Sequence, residues 1–420
     1  MIGERVRLAR EACRLTQKSL AVSSGVPPGT IGSIENGLIS EPSDNTIFKI
    51  SVATGFPVGF FYLGQLPDMP EGRFRHKKRV PAKDRMQIRA QVRQTVELVQ
   101  RSEQCLRLPK VTLSPITPSL DIDQIERLAV ETREKLGIGQ RDPIPNFTRA
   151  VERAGVVVVR LPYVPGCDSY SVWPDYGFRG RPIIAIVGDH PGDRDRANVG
   201  HELGHLLLHT EANNIEYDQA ETEAWRFAGA ILLPVAAAKD LMRRHLTMRV
   251  LMAIKANYGT SMSLTIRRAY DLGLISDDHY ASLNKQLSAR GWRTHEPVPV
   301  RNEETLLIKK IVSHMSDGDS LRDKNIHLNL QDQVLRKLLA PVSAISQSEG
   351  NVLTFPGSSM KGIIESNSHA KEVNDMPTTG EKPGKGTYKC LGCGQLVVLD
   401  DATDTLPPCP SCSGTEFVAV

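Results

Sequence analysis

The sequence predicts a multidomain chain: an all-α bundle at the N-terminus, an α+β domain in the middle and a small β module tied together by metal at the end. Three observations predict it. Two short helical patterns meet across Gly25; two histidines four residues apart, His201 and His205, sit in an apolar helical stretch preceded by strand-like runs; and the chain closes on two C-x-x-C pairs, Cys390/Cys393 and Cys409/Cys412. A chain of 420 residues exceeds one ordinary core, so two or three domains are expected. The charge of +4, with 40% hydrophobic and 24% charged residues, describes a globular protein with some flexible parts. No run of about 18 apolar residues exists, and Met1-Ile-Gly-Glu-Arg lacks a signal-peptide core, so the expectation is a cytoplasmic protein without a membrane span.

From the start, Arg5 to Ala12 gives an amphipathic helix, and Thr16 caps a second that runs through Leu20 and Ala21. Gly25 supplies the turn, Pro27 or Pro28 opens a third helix and Gly37 closes it. Two short helices across a glycine turn, with Leu20, Ala21, Val26, Ile31 and Ile34 apolar, have helix-turn-helix spacing. Further helices are expected at Asp44 to Thr54 and Val58 to Leu63. As a whole, residues 2 to 66 resemble the Xre/lambda-repressor-like DNA-binding domain, through Leu15-Thr-Gln, Ile34-Glu-Asn-Gly and Phe60-Phe61. The resemblance implies double-stranded DNA as a partner, read in the major groove by the start of the third helix, and is compatible with a homodimer. Mapped onto this chain, the reading residues are Gln17, Pro28, Gly29, Thr30 and Ser33, a poor set because Gly and Pro carry no hydrogen-bonding side chain.

Residues 1 to 66 hold six basic and five acidic side chains, little for phosphate binding. Residues 71 to 110 hold twelve Lys/Arg against four Asp/Glu, a local +8. Arg73 to Arg79 is loop-like, and Ala82 to Leu106 is helical, with Ile88, Val92, Val96, Val99 and Leu106 as its apolar face. The stretch is either a phosphate-neutralising arm or a solvated connector helix.

After Pro109 the chain is extended and Pro-rich, a domain boundary. Helices are expected at Ile122 to Leu136 and Asn146 to Ala154; Val156 to Leu161 and Pro182 to Gly188 are continuous apolar runs typical of strands. His201-Glu202-Leu203-Gly204-His205 follows on a helix begun near Asp193 and Asp195. At i and i+4 both imidazoles reach one Zn²⁺, and Glu202 can take a proton from a water that the metal activates. His209, about 12 Å along a straight helix from His201, lies too far to join them and is read as a helix-end residue.

A catalytic zinc needs a third ligand. The next helix, Gln219 to Leu233, stopped by Pro234, carries an apolar stripe of Ala220, Ala224, Phe227, Ala228 and Ile231 with two rivals beside it, Glu221 and Glu223. Together, His201 to His209 and Glu221 to Pro234 resemble the ImmA/IrrE family of metallopeptidases. The resemblance implies a zincin-like fold and Glu221 as third ligand, and puts Trp225 where the family often has Asp or Asn, removing a partner of a ligand His. It also implies a strand at the rim of the site that pairs with an extended peptide. Helices are expected from Leu241 to Asn257 and Ser263 to Leu272, and helical pattern continues from Leu306 to Leu339. Tyr258, Tyr270 and Arg268 are guesses for a transition-state donor.

From Ser343 to Gly386 the composition predicts a disordered linker. The four cysteines, fifteen residues separating Cys393 from Cys409, then predict a Zn²⁺ held by four thiolates, a zinc ribbon whose metal supplies its folding energy.

The expected layout is an all-α helix-turn-helix bundle at 1–68, a basic helical connector at 69–115, an α+β zincin-like metallopeptidase domain at 116–300, a helical extension at 301–342, a linker at 343–386 and a small β zinc ribbon at 387–420. The expected function is a DNA-binding regulator with one catalytic and one structural Zn²⁺ that cleaves a protein, such as a transcriptional repressor, with Glu202 as base. The alternative is a regulator whose zincin-like domain senses metal or a ligand, or binds a partner, without cutting.

Overall fold

The computed structural model describes residues 2–70, 73–75, 80–115, 121–174, 180–209, 215–243, 245–316, 324, 328–341, 386–390, 396–399, 405, 407–409 and 417–419. It divides into two compact units, Met1–Gly350 and Asn351–Val420.

The first unit opens on five helices, α1 (Ile2–Ala12), α2 (Gln17–Ser24), α3 (Pro28–Glu35), α4 (Asp44–Thr54) and α5 (Val58–Tyr62). Thr16 caps α2 by accepting from the Ser19 amide, and Gly25 takes the left-handed conformation, φ 67°, that lets the chain turn into α3. Val6, Leu20, Ile31, Ile34, Ile47, Ile50, Phe56, Phe60 and Phe61 form one buried core. Each such side chain is worth roughly 1.5–3 kcal/mol when fully buried.

The long helix α6 (Ala82–Glu103) is not a solvated connector. Its face of Ile88, Val92, Val96 and Val99 is buried against a sheet, while Ala90 joins the N-terminal core. Arg5, whose side chain is 1% exposed, reaches across from α1 and donates to both oxygens of Glu97 on α6, at 2.6 and 3.3 Å. Arg14 pairs with the buried Asp84.

The sheet has the order β1 (Arg73–Arg75), β3 (Ser169–Val172), β4 (Ile183–Val187), β2 (Val157–Leu161), with β2 and β4 parallel and the other pairs antiparallel. Val157, Val159, Leu161, Ile183, Ala185 and Val187 face α6, α15 (Leu306–Met315) and α16 (Asp332–Leu339). Val158, Ile184 and Ile186 face α7 (Ile122–Lys135), α8 (Phe147–Arg153), α9 (Gly192–Leu208) and α10 (Tyr217–Leu232). Burial on both faces is why these strands are continuous apolar runs instead of alternating ones.

Several local expectations change. Arg73–Arg75 is a strand, not loop; it takes the outer edge of β3, and β4, flanked on both sides, has no free edge for a peptide. The helix expected from Leu241 to Asn257 begins only at Met248, as α12 (Met248–Tyr258), because Thr247 caps its start by accepting from the Val250 amide; a separate helix, α11 (Val235–Leu241), precedes it. After α13 (Met262–Asp271) comes α14 (Asp277–Ala289), opened by the Ser276 cap, which sequence reading missed.

In the second unit, β5 (Gly386–Cys390) pairs antiparallel with β6 (Leu396–Leu399) and β7 (Phe417–Ala419). Tyr388, Leu399 and Cys409 are buried together. Of the linker expected at 343–386, residues 343–385 lie outside the described residues and Gly386 opens β5.

Candidate functional sites

Helix α9 reaches the centre of the first unit because its charged first turn is neutralised below the surface. Asp193 accepts from Lys255 at 2.8 Å, Asp195 pairs with Arg160 and accepts from Asn302 at 2.9 Å, and Arg196 pairs with Glu303. Burial pushes the Asp195 carboxyl up, against the pull of Arg160. The two aspartates at the helix start are therefore anchors as well as dipole partners. Gly200 and Gly204 face α10, where added Cβ atoms would lie 3.3 Å from the Ala228 Cα and 3.1 Å from the Ala224 Cα. Glycine opposite alanine brings the two helices close enough for side chains of both to meet over one point.

At that point His201 Nε2 lies 3.0 Å from His205 Nε2, His205 Nε2 3.1 Å from Glu221 Oε1, and His201 Nε2 3.5 Å from Glu221 Oε2. These ligand atoms all fall within 4.8 Å of one another, the single such group of three among the described residues. Zinc bonds of about 2.0–2.1 Å in a tetrahedron put neighbouring ligand atoms roughly 3.3 Å apart, which the three separations match. Burial would raise the Glu221 carboxyl, yet the two imidazoles beside it hold it well below the usual carboxylate range. Two nitrogens and a carboxylate pressed together in this way form a donor set suited to a divalent cation.

Glu202, wholly buried, accepts from the Ser169 hydroxyl of β3 at 2.7 Å. Trp225 packs its ring on His201, centroids 4.5 Å apart, so packing now holds the imidazole that an Asp or Asn would have met with a hydrogen bond. Glu223, the rival third ligand, points elsewhere: it accepts from His209 Nε2 at 3.0 Å and from Gln219 at 2.7 Å. Tyr217, partly exposed at the start of α10, stands beside Glu221; burial and that carboxylate push its phenol up. Sequence reading missed Ser169, Tyr217 and the second duty of His209, because none has a fixed spacing to the motif. The guesses for a donor lie in other contacts: Tyr258 donates to the Arg141 carbonyl, Arg268 pairs with Glu126, and Tyr270 packs on Tyr280.

In the N-terminal bundle, Pro28 and Gly29 are exposed at the entrance of α3, with Thr30 and Ser33 half-buried behind them. Gln17 donates to Glu35 at 2.9 Å, and Glu35 is itself held by Arg10. The amide is thus engaged within the bundle. In the second unit Cys409 is buried, while Cys390 is described only by its place in β5 and Cys393 and Cys412 lie outside the described residues.

A helix-turn-helix bundle joined to an α+β domain with two histidines and a glutamate converging beside a buried glutamate defines a protein of mixed class, a helix-turn-helix module with a metallopeptidase-type domain. Comparison with known families gives the particulars. Residues 6–61 match the helix-turn-helix family model, residues 151–270 the IrrE N-terminal-like domain of the M78 peptidases, and residues 362–419 the zinc-ribbon containing domain. The chain carries an Xre-type helix-turn-helix domain, an IrrE/ImmA-like peptidase-family domain and a C-terminal zinc ribbon, in that order. None of the curated proteins matches it. Among the described residues no helix is long and apolar enough to cross a membrane.

Proposed function

We propose that the chain is a cytoplasmic DNA-binding transcriptional regulator and zinc-dependent endopeptidase that cuts a repressor protein, releasing stress or mobile-element genes. The observation that carries this reading is the convergence of His201, His205 and Glu221 beside Glu202. Those three residues would hold Zn²⁺. Bound there, zinc supplies Lewis-acid polarisation of a scissile carbonyl and lowers the pKa of water. Glu202 takes the proton of the attacking water and returns it to the leaving amine, while Ser169 holds one of its oxygens by the hydrogen bond it donates. A structural zinc site would have no use for such a base.

Both sides of β3, the strand that brings Ser169 to Glu202, are paired, with β1 and with β4, so an extended substrate would have to displace β1 to pair with it. In the bundle, Pro28, Gly29, Thr30 and Ser33 meet DNA by main chain and shape more than by base-reading side chains, and Gln17 must leave Glu35 to take part. A pair of chains on a two-fold site would act as a homodimer. Cys390, Cys393, Cys409 and Cys412 would hold the structural zinc of the ribbon.

The test is a comparison of new protein N-termini in cells exposed to the wild type and to Glu202→Gln, both zinc-loaded. A small set of cleavages made only by the wild type is expected and names the substrate. Identical termini under several stresses would leave a regulator that binds metal without cutting.

A further inference from the structure

The residue that caps the active helix is buried against one of its histidines. The chain leaves α9 at His209, whose amide still donates to the His205 carbonyl at 3.1 Å while its backbone turns to φ −120°, ψ 76°. The turn lays its ring against His205, with the two Nδ1 atoms 2.9 Å apart, and sends its Nε2 to within 3.0 Å of Glu223 Oε2. All of this is buried: His209 is 6% exposed and Glu223 4%. Gln219 donates to the second oxygen of Glu223 at 2.7 Å, which fixes that carboxylate on α10.

The chemistry of these contacts fixes the protons in sequence. A carboxylate only accepts, so His209 donates from Nε2. A neutral His209 then has a lone pair at Nδ1, and the short approach requires the proton between the rings to sit on His205 Nδ1. His205 Nε2, which faces His201 and Glu221 and shares a proton with that carboxylate while no metal is bound, is the nitrogen that would give its lone pair to zinc. We propose that His209 and Glu223 form a positioning relay that holds a proton on His205 Nδ1 and fixes its ring angle, so that its Nε2 is the atom aimed at the metal. The proposal rests on the zinc reading and deepens it. His209 is the positioning residue and Glu223 its anchor; neither is a ligand, since both ring nitrogens of His209 are already engaged.

The experiment uses the full chain labelled with nitrogen-15 histidine, together with zinc affinities from competition with a chromophoric chelator. The zinc of the ribbon is measured separately in His201→Ala. In the zinc-stripped wild type, the spectra are expected to show His205 protonated at Nδ1. His209→Leu removes the acceptor and is expected to weaken zinc at the histidine site about 10–100-fold; His209→Asn, whose Oδ1 replaces Nδ1, should stay within about threefold of the wild type. A stripped wild type in which His205 lacks a proton at Nδ1 overturns the relay, as does a folded leucine variant with unchanged affinity. Equal losses in the leucine and asparagine variants also overturn it, since packing alone would explain them. If leucine at 209 does not fold, the wild-type spectra and the asparagine variant decide. A wild type that holds zinc only in the ribbon defeats the metallopeptidase reading itself, an outcome distinct from the others.

Discussion

Single side chains divide the labour at the metal centre, and each division can be measured. Ser169 touches Glu202 and none of the three convergent residues, so Ser169→Ala should lower kcat about tenfold and leave zinc affinity unchanged. A loss of zinc instead would mean that the serine supports the fold of the site. Tyr217 stands at its open side, beside Glu221. If its hydroxyl stabilises the developing oxyanion, Tyr217→Phe lowers kcat by about 10²-fold with KM little changed; a fall in zinc affinity with kcat preserved would show that it only steadies Glu221. Away from the centre, Glu152 accepts from the amides of Leu306 and Leu307 at the start of α15, and burial pushes its carboxyl up from an ordinary 4.5 to about 7. A carboxyl raised in the folded state binds its proton more tightly there than in the unfolded chain. Its contribution is present in full below pH 4.5 and is lost as pH rises to 7, about 3 kcal/mol at most. Glu152→Gln keeps an acceptor without the titration, so the melting temperature of the variant should fall less than that of the wild type between pH 5 and 7.5. Parallel profiles would show that Glu152 does not titrate there.

At the scale of elements, the centre depends on how closely α9 and α10 approach. Gly204→Ala puts a methyl 3.1 Å from the Ala224 Cα and 3.2 Å from the Phe227 ring. The helices must part by a few tenths of an ångström, at a cost of about 1–3 kcal/mol. Because Glu221 sits on α10 and the histidines on α9, zinc affinity should fall with stability; a stable variant that loses no zinc would show that the helices slide without separating. The same geometry explains what was legible in the sequence. The H-E-x-x-H spacing put His201, Glu202 and His205 on one helix, and the apolar stripe placed α10 beside it, because period and composition are local. Glu221 over Glu223 was not local: it depends on the turn of α10 against α9, and only the family resemblance pointed to it. His209 was kept out of the ligand group by helix geometry, yet its contact with His205 arises where the helix ends, and no spacing encodes that. Ser169 and Tyr217 come from a strand and a helix start brought in by the sheet and the helix pair. Strand β1 was misread because its Arg-rich composition resembles a loop, whereas its pairing with β3 is a main-chain event indifferent to side chains. The break between α11 and α12 turned on one cap, Thr247, inside a helical composition.

Across the first unit, the bundle and the peptidase-type domain share a helix. One face of α6 lies in the core under the sheet, while Arg5, Arg14 and Ala90 tie it to the bundle. A second tie comes from beyond α15, where the Gln331 side chain donates to Cys13 at 3.1 Å, its backbone amide donates to Gln94 Oε1 at 3.0 Å, and the Asp332 amide donates to the Gly55 carbonyl at 3.0 Å. Unfolding the bundle would uncover Ala90 and leave Arg5 and Glu97 to separate, and losing one partner of a buried ion pair costs about 3–5 kcal/mol. The bundle and the domain should therefore melt as one, and the metal should be felt by both. Zinc at a hundred times its Kd stabilises the folded form by about 2.7 kcal/mol, and that gain should raise the melting temperature of the bundle, although no ligand atom lies in it. The measurement is thermal unfolding of the full chain, with and without zinc, read through a fluorophore at exposed position 22 of α2 and through far-ultraviolet circular dichroism. His201→Ala serves as the control that retains the ribbon metal but loses the histidine site. A zinc-dependent rise at position 22 in the wild type, absent from the control, is the expected result. A bundle transition that precedes the rest and ignores zinc would mean that α6 belongs to the sheet alone, and that DNA binding and metal binding are independent in this chain.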